Sequence, residues 1–171
     1  GYLSRLIQNL ITLSRLDEEN PFPEKSEFSL SDAVWEIAEP FSSLAKARHK
    51  EYTQHIEDRL VLVGDRAAIQ QMVSILLDNA MKYSEDNGRI SLLVQKSSGK
   101  VEIEVFNTCK KEEGADISRI FERFYRMDES HSGRVKGTGI GLSIAKATAE
   151  AHGGSIKASY RKEGILFRVV L

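Results

Sequence analysis

Hydrophobic residues recur along this chain at two spacings, and the change from one to the other divides it into elements. Over residues 2–19, Leu3, Leu6, Leu10 and Leu13 fall at steps of three and four, with Ile7, Ile11 and Leu16 widening the stripe, which predicts an amphipathic helix. Asn20, Pro21 and Pro23 end it and make a linker or hinge. Residues 27–30 read as a short strand. A second helix is predicted over 31–46, with Val34, Ile37, Ala38, Phe41 and Leu44 on one face and Pro40 expected to kink or interrupt it. Residues 51–56 and 60–63 read as strands joined by a polar turn, a pair closed by Gly64 and Asp65, with Asp65 placed to cap the next helix. That helix, 66–83, carries Ile69, Met72, Val73, Ile75, Leu76, Leu77 and Ala80 and must be largely buried. Ile90, Leu92 and Val94, then Val101, Ile103 and Val105, alternate as two strands of a hairpin turning at 97–99. Residues 108–136 are polar and irregular apart from a short predicted helix at 117–125, the make-up of a lid or binding loop. A helix through Leu142, Ile144, Ala145, Ala147 and Ala149 and a second hairpin, 155–160 with 165–171, complete the chain.

Strands in hairpins with three long helices between them predict an α+β fold: a two-layer α/β sandwich, its mixed, mostly antiparallel sheet covered by three helices on one face. The N-terminal helix would stand outside it. Its broad stripe expects a partner helix or a dimer, with packing on the domain's own core as the alternative.

Composition narrows the class. A chain of 171 residues, 41% hydrophobic and 29% charged, has the balance of a soluble globular domain. A net charge of -1 gives no bulk attraction to nucleic acid or to an anionic membrane. The single cysteine, Cys109, excludes an internal disulfide. No apolar run approaches the ~18 residues that span a bilayer, and the start lacks the features of a signal peptide. Gly1 leads straight into helical sequence, as expected of a piece of something longer.

Chemistry gathers in two stretches. Gly137, Gly139 and Gly141 precede an apolar helix, an arrangement that leaves the first N–H groups of the helix facing outward as a phosphate cradle. By itself the same pattern is equally a tight structural turn. Asn79 and Lys82 are polar groups near the end of a buried helix, where such groups need partners; as plain structure, Asn79 would cap its own helix and Lys82 would be a solvated cation favoured by the helix dipole.

Taken together and in order, these stretches resemble sensor histidine kinases. LLDNAMKYS (76–84) resembles their N box, FERFYR (121–126) their F box, and GTGIGLSIAK with HGG (137–146, 152–154) their G2 box. SRLIQNLITLSRLD (4–17) is similar to the second helix of their dimerisation and phosphotransfer hairpin. The resemblance implies three parts: the end of that hairpin at 1–20, a linker at 21–26, and a catalytic ATP-binding domain at 27–171 with a lid at about 108–136. It implies ATP and Mg2+ as cofactors. Asn79 would coordinate the magnesium through its amide oxygen, Lys82 would meet phosphate as a point charge, and Tyr83 would border the nucleotide. Gly137, Thr138, Gly139, Ile140, Gly141 and Leu142 would line the triphosphate with backbone N–H groups. Arg126 would reach phosphate when the lid closes, with Arg123 a second candidate, while Phe121 and Phe124 would pack the lid. The implied partners are a response-regulator receiver domain and a second copy joined through the helical hairpin, with no nucleic acid. The implied location is the cytoplasmic side of a bacterial cell (inner) membrane.

The chain departs from the family pattern in three places. The G1 box, usually Asp-x-Gly-x-Gly, reads Asn107, Cys109 and Lys111 at its fixed positions. Asn107 would take the adenine amino group in place of the aspartate, uncharged and so less strongly. Ile75 stands where kinases often carry an Asn and hydrolytic relatives a water-activating Glu; it can do neither task, which argues against ATP hydrolysis. None of His49, His55, His131 and His152 lies in the context of a phosphoacceptor, which would lie upstream of Gly1. The expected function is therefore the catalytic domain of a histidine kinase, transferring the γ-phosphate of Mg-ATP to an upstream histidine and onward to a response-regulator aspartate. The alternative is a degenerate kinase domain that binds nucleotide weakly or not at all and acts as a dimerisation and regulatory module.

Overall fold

The central hairpin joins β4 (Arg89–Ser97) to β5 (Lys100–Thr108) through Ser98 and Gly99, both with positive φ, the backbone a two-residue hairpin turn demands. The computed structural model describes residues 1–110, 116–125 and 139–171. Ile90, Leu92, Val94, Val101, Ile103 and Val105 are all buried, as the period-two pattern requires. β7 (Gly164–Val170) pairs antiparallel with β5, and β6 (Ser155–Tyr160) antiparallel with β7. β2 (Glu51–Ile56) lies parallel to β4, giving a five-stranded sheet ordered β2-β4-β5-β7-β6.

Three helices cover one face: α2 (Leu30–Ala47), α3 (Arg66–Tyr83) and α4 (Gly141–Ala151), with α3 between the other two. Leu30, Ile69, Met72 and Leu76 meet Ile90, Leu92, Ile103 and Phe167 between the layers, all at most 1% exposed. Side chains buried to this degree each contribute about 1.5–3 kcal/mol. This is the expected two-layer sandwich.

Three local expectations are corrected, and at Pro40 the interruption offered beside a kink does not occur. β2 and β3 (Val61–Gly64) are not a pair: β3 joins β1 (Ser26–Ser29) in a separate two-stranded sheet. The connection between them is held instead by Ser31, whose hydroxyl donates to the Glu57 carbonyl at 2.6 Å and accepts the Leu60 N–H at 2.9 Å. α2 runs on through Pro40, which sits on its exposed side while Ala38, Phe41 and Ala45 anchor both halves in the core. The helix expected at 117–125 is a single 3-10 turn, Ile117–Arg119. The N-terminal helix, α1 (Tyr2–Leu16), is shorter than expected and divides its stripe. Leu13, Leu6 and Leu16 pack on Ile140, Ile144 and Ile75, while Leu3, Ile7, Leu10 and Ile11 remain exposed. The segment after α1 is held to the end of α4. The Phe22 ring lies 5.1 Å from that of His152, and Lys25 Nζ donates to the Ala151 carbonyl at 2.6 Å.

Candidate functional site

α3 carries the first group of residues. Asp65 caps it as expected, Oδ1 accepting the Ala68 N–H at 2.9 Å. The helical period brings Asn79 and Tyr83 to one face near its other end, both half-buried, with Lys82 exposed beside them. Burial pushes the Asp78 carboxyl pKa up, an effect opposed by the charges of Arg5, Lys82 and Arg48.

Asn107 continues the inward-facing row of Val101, Ile103 and Val105 on β5 and is fully buried. Its Nδ2 donates to the Thr108 carbonyl at 3.2 Å. Its Oδ1 is buried with no hydrogen-bond partner among the described residues, which costs about 1–3 kcal/mol unless something else donates to it. The backbone of β7 closes the space behind: a Cβ on Gly164 would fall 2.0 Å from the Asn107 carbonyl oxygen. Thr108 ties this end of β5 to the turn after α3, its carbonyl accepting the Glu85 N–H at 3.3 Å and its hydroxyl the Arg89 N–H at 2.9 Å. Nothing in the sequence pattern singled out Thr108, because its neighbours in the turn lie about twenty residues back.

The start of α4 carries the third group of expected residues. Its N-cap residue, Ile140, has no side chain able to cap, so among the described residues no capping side chain satisfies the first N–H groups. Gly139 has φ +72° and lies so close to the F box that a Cβ would be 2.8 Å from the Phe124 carbonyl carbon. The Phe124 N–H donates to the Gly139 carbonyl at 3.0 Å. Ile140 is buried toward Leu13, and Leu142 is half-buried. A Cβ on Gly141 would lie 3.3 Å from Ile75 Cγ2; Ile75 is thus a packing residue between α3, α4 and α1.

The remaining expected residues divide. Phe121 packs edge-on against Phe167, centroids 6.1 Å apart. Phe124 does not pack: it is 65% exposed at φ +65°, turned outward by the backbone that binds Gly139. Arg123 pairs with Asp17 at the end of α1, at 3.0 Å. Lys111, Arg126, Gly137, Thr138 and the part of the expected lid around them lie outside the described residues.

Residues 64–171 match the family described as histidine kinase-, DNA gyrase B-, and HSP90-like ATPases. The chain belongs to this ATPase family. Among its relatives is the probable sensor protein PcoS of Escherichia coli, 33% identical over 169 residues, a match covering 99% of this chain and 36% of that protein. The sensor histidine kinase WalK of Bacillus subtilis is 31% identical over 160 residues, covering 90% of this chain and 26% of that protein. The nucleotide-free catalytic domain of histidine kinase ThkA superposes with a TM-score of 0.73 at 26% identity, covering 86% of this chain and 95% of that domain. ThkA in complex with response regulator protein TrrA gives a TM-score of 0.77 at 24% identity over 99% of this chain and 47% of that one, a likeness of fold. The chain spans between about a quarter and two fifths of the length of the curated relatives it matches.

Within the family this is an ATP-binding catalytic domain of the histidine kinase branch. Of the glycines in this stretch, Gly139 is the one whose backbone requires the residue, with φ +72° and Phe124 and Tyr125 backbone atoms within 3 Å of a Cβ there. Where the G1 pattern has glycine this chain has Cys109, half-buried, with its N–H on the Glu163 carbonyl at 3.1 Å.

Proposed function

We propose that this domain serves a two-component sensor histidine kinase, presenting Mg-ATP to a phosphoacceptor histidine that precedes Gly1. The observation that carries the reading is the buried, unpartnered Oδ1 of Asn107. An adenine amino group is a donor that would relieve it, so this residue fits a purine base without the usual aspartate. The uncapped start of α4 suits the other end of the same ligand. Bound there, ATP supplies the γ-phosphoryl group. The N–H groups from Gly137 to Leu142 would orient the phosphates, and Lys82 and Arg126 would offset their charge, with Tyr83 beside the nucleotide. Among the described residues no cluster of His, Cys, Asp and Glu could hold a metal, so magnesium would rest on Asn79 and on phosphate oxygens. Ile75 has no proton to move, which keeps the site from activating water.

In the same reading, residues 1–20 end a dimerising helical hairpin, 21–26 link it to the catalytic domain at 27–171, and a response regulator takes the phosphoryl group onward. The solved pairing of ThkA with TrrA supports that partner. The parent would be anchored in a membrane with this domain on the cytoplasmic side; among the described residues no helix is long and apolar enough to cross one. Calorimetric titration with ATP, with and without magnesium, tests the proposal. Magnesium-dependent binding that is lost in Asn79→Ala supports it. Absence of binding at millimolar ATP would overturn it and favour the degenerate domain acting through dimerisation.

A further inference from the structure

Lys50 lies outside every motif described above, yet it is tied through the turn after α3 to the strand end that carries Asn107. α2 ends in a left-handed turn: His49 has φ +56°, and the Lys50 N–H returns to the Ala45 carbonyl at 2.9 Å. That turn delivers the Lys50 side chain to the chain leaving α3. Its ammonium donates to the Ser84 carbonyl at 3.0 Å and to the Glu85 carbonyl at 2.6 Å. Both lie at the negative end of the α3 dipole, where a half-buried cation is favoured. Glu85 in turn gives its N–H to the Thr108 carbonyl, the same oxygen that receives Asn107 Nδ2.

A continuous path therefore runs from Lys50 through Glu85 and Thr108 to Asn107. We infer that Lys50 is a positioning residue for nucleotide: it holds the end of α3, with Lys82 and Tyr83, in register with the base acceptor Asn107. It touches no ligand itself. The inference rests on the proposed ATP site, and it adds that the two ends of that site are set relative to one another from the α2–β2 corner. A ligand that spans both ends then feels the tie, and a ligand that occupies one end does not.

The test is calorimetric binding of ATP, adenosine and inorganic tripolyphosphate to the whole chain and to Lys50→Met, Lys50→Gln and Lys50→Arg. Thermal melting accompanies each to confirm folding. The expected result for Lys50→Met is an ATP dissociation constant raised about five- to thirtyfold, the equivalent of roughly 1–2 kcal/mol. Adenosine and tripolyphosphate should shift by less than about twofold, and Lys50→Arg should recover most of the ATP affinity. Lys50→Gln serves the same comparison if Lys50→Met does not fold. Unchanged ATP affinity in a folded variant overturns the inference and leaves the ATP site standing. Equal weakening of all three ligands assigns Lys50 a merely structural role and overturns it too. Failure of the unaltered chain to bind ATP overturns the site itself, and this inference with it.

Discussion

The Nε2 of His152 accepts the backbone N–H of Asp65 at 3.0 Å, joining the end of α4 to the start of α3 across 87 positions of sequence. Its Nδ1 lies 2.8 Å from the Thr148 carbonyl and must donate to it, so the imidazole is neutral with the proton on Nδ1. Burial lowers its pKa below the ordinary imidazole value, opposed by the Thr148 hydrogen bond and by Asp65, while Lys25 lowers it further. A lowered folded-state pKa means that the unfolded chain binds the proton more readily. The contribution to stability is then complete above about pH 6.5 and is lost as the pH falls through the folded-state value. Urea unfolding between pH 7.5 and 5 should show stability decreasing toward acid, and His152→Gln should flatten that slope; equal slopes would refute it.

Gly64 sits against the same ring. A Cβ there would fall 2.6 Å from His152 Cδ2 and 2.9 Å from Nε2. The ring cannot retreat, because Phe22 packs on it and Asp65 and Thr148 hold both nitrogens. Gly64→Ala should cost about 1–3 kcal/mol, and in the background of His152→Ala the cost should shrink. Chemical denaturation of the four proteins gives the coupling directly.

Asn107→Asp separates affinity from stability. A carboxylate at this fully buried position loses solvation in the free protein and faces the Thr108 carbonyl that Nδ2 now donates to, so it should lower stability by about 3–5 kcal/mol. The same carboxylate is the stronger acceptor for an amino group. Thermal melting should therefore show a lower midpoint without ATP and a larger upward shift with it. A smaller shift than in the unaltered chain would remove Asn107 from the base site.

Gly139→Ala strains the turn ahead of α4. Its φ of +72° and a Cβ 2.8 Å from the Tyr125 carbonyl oxygen cannot both be accommodated. The contact between Phe124 and Gly139 should open, weakening ATP binding, and the strain should lower the unfolding free energy by about 1–3 kcal/mol. Calorimetry and urea unfolding on one preparation check both.

The sheet's centre and the three covering helices were legible because periodicity reports which face a residue turns to the core, as Val101, Ile103 and Val105 do. The same period placed Asn107 inward, so a polar residue on a core-facing row was already a signal. Pairing was less legible. Alternation says that β2 and β3 are strands without naming their partners, and the hydroxyl of Ser31, which commits the turn between them to α2, acts from a distance. α1 showed one apolar stripe where the structure buries one edge and leaves the other exposed. Lys50 and Thr108 were invisible for the reason that hid the partner of His152: each acts through backbone groups, which every residue carries and no pattern distinguishes.

The pairing of β2 with β4 bears on how the molecule assembles. Glu51 stands opposite Arg89, with β3 and all of α3 between them in sequence, whereas Ser97 meets Lys100 across a two-residue turn. The hairpin closes its loop at little entropic cost and within microseconds. The parallel strand must wait for the intervening chain to be ordered. β2 is therefore a late arrival at its own edge of the sheet, and until it comes the flank of β4 is open to any extended chain that reaches it first.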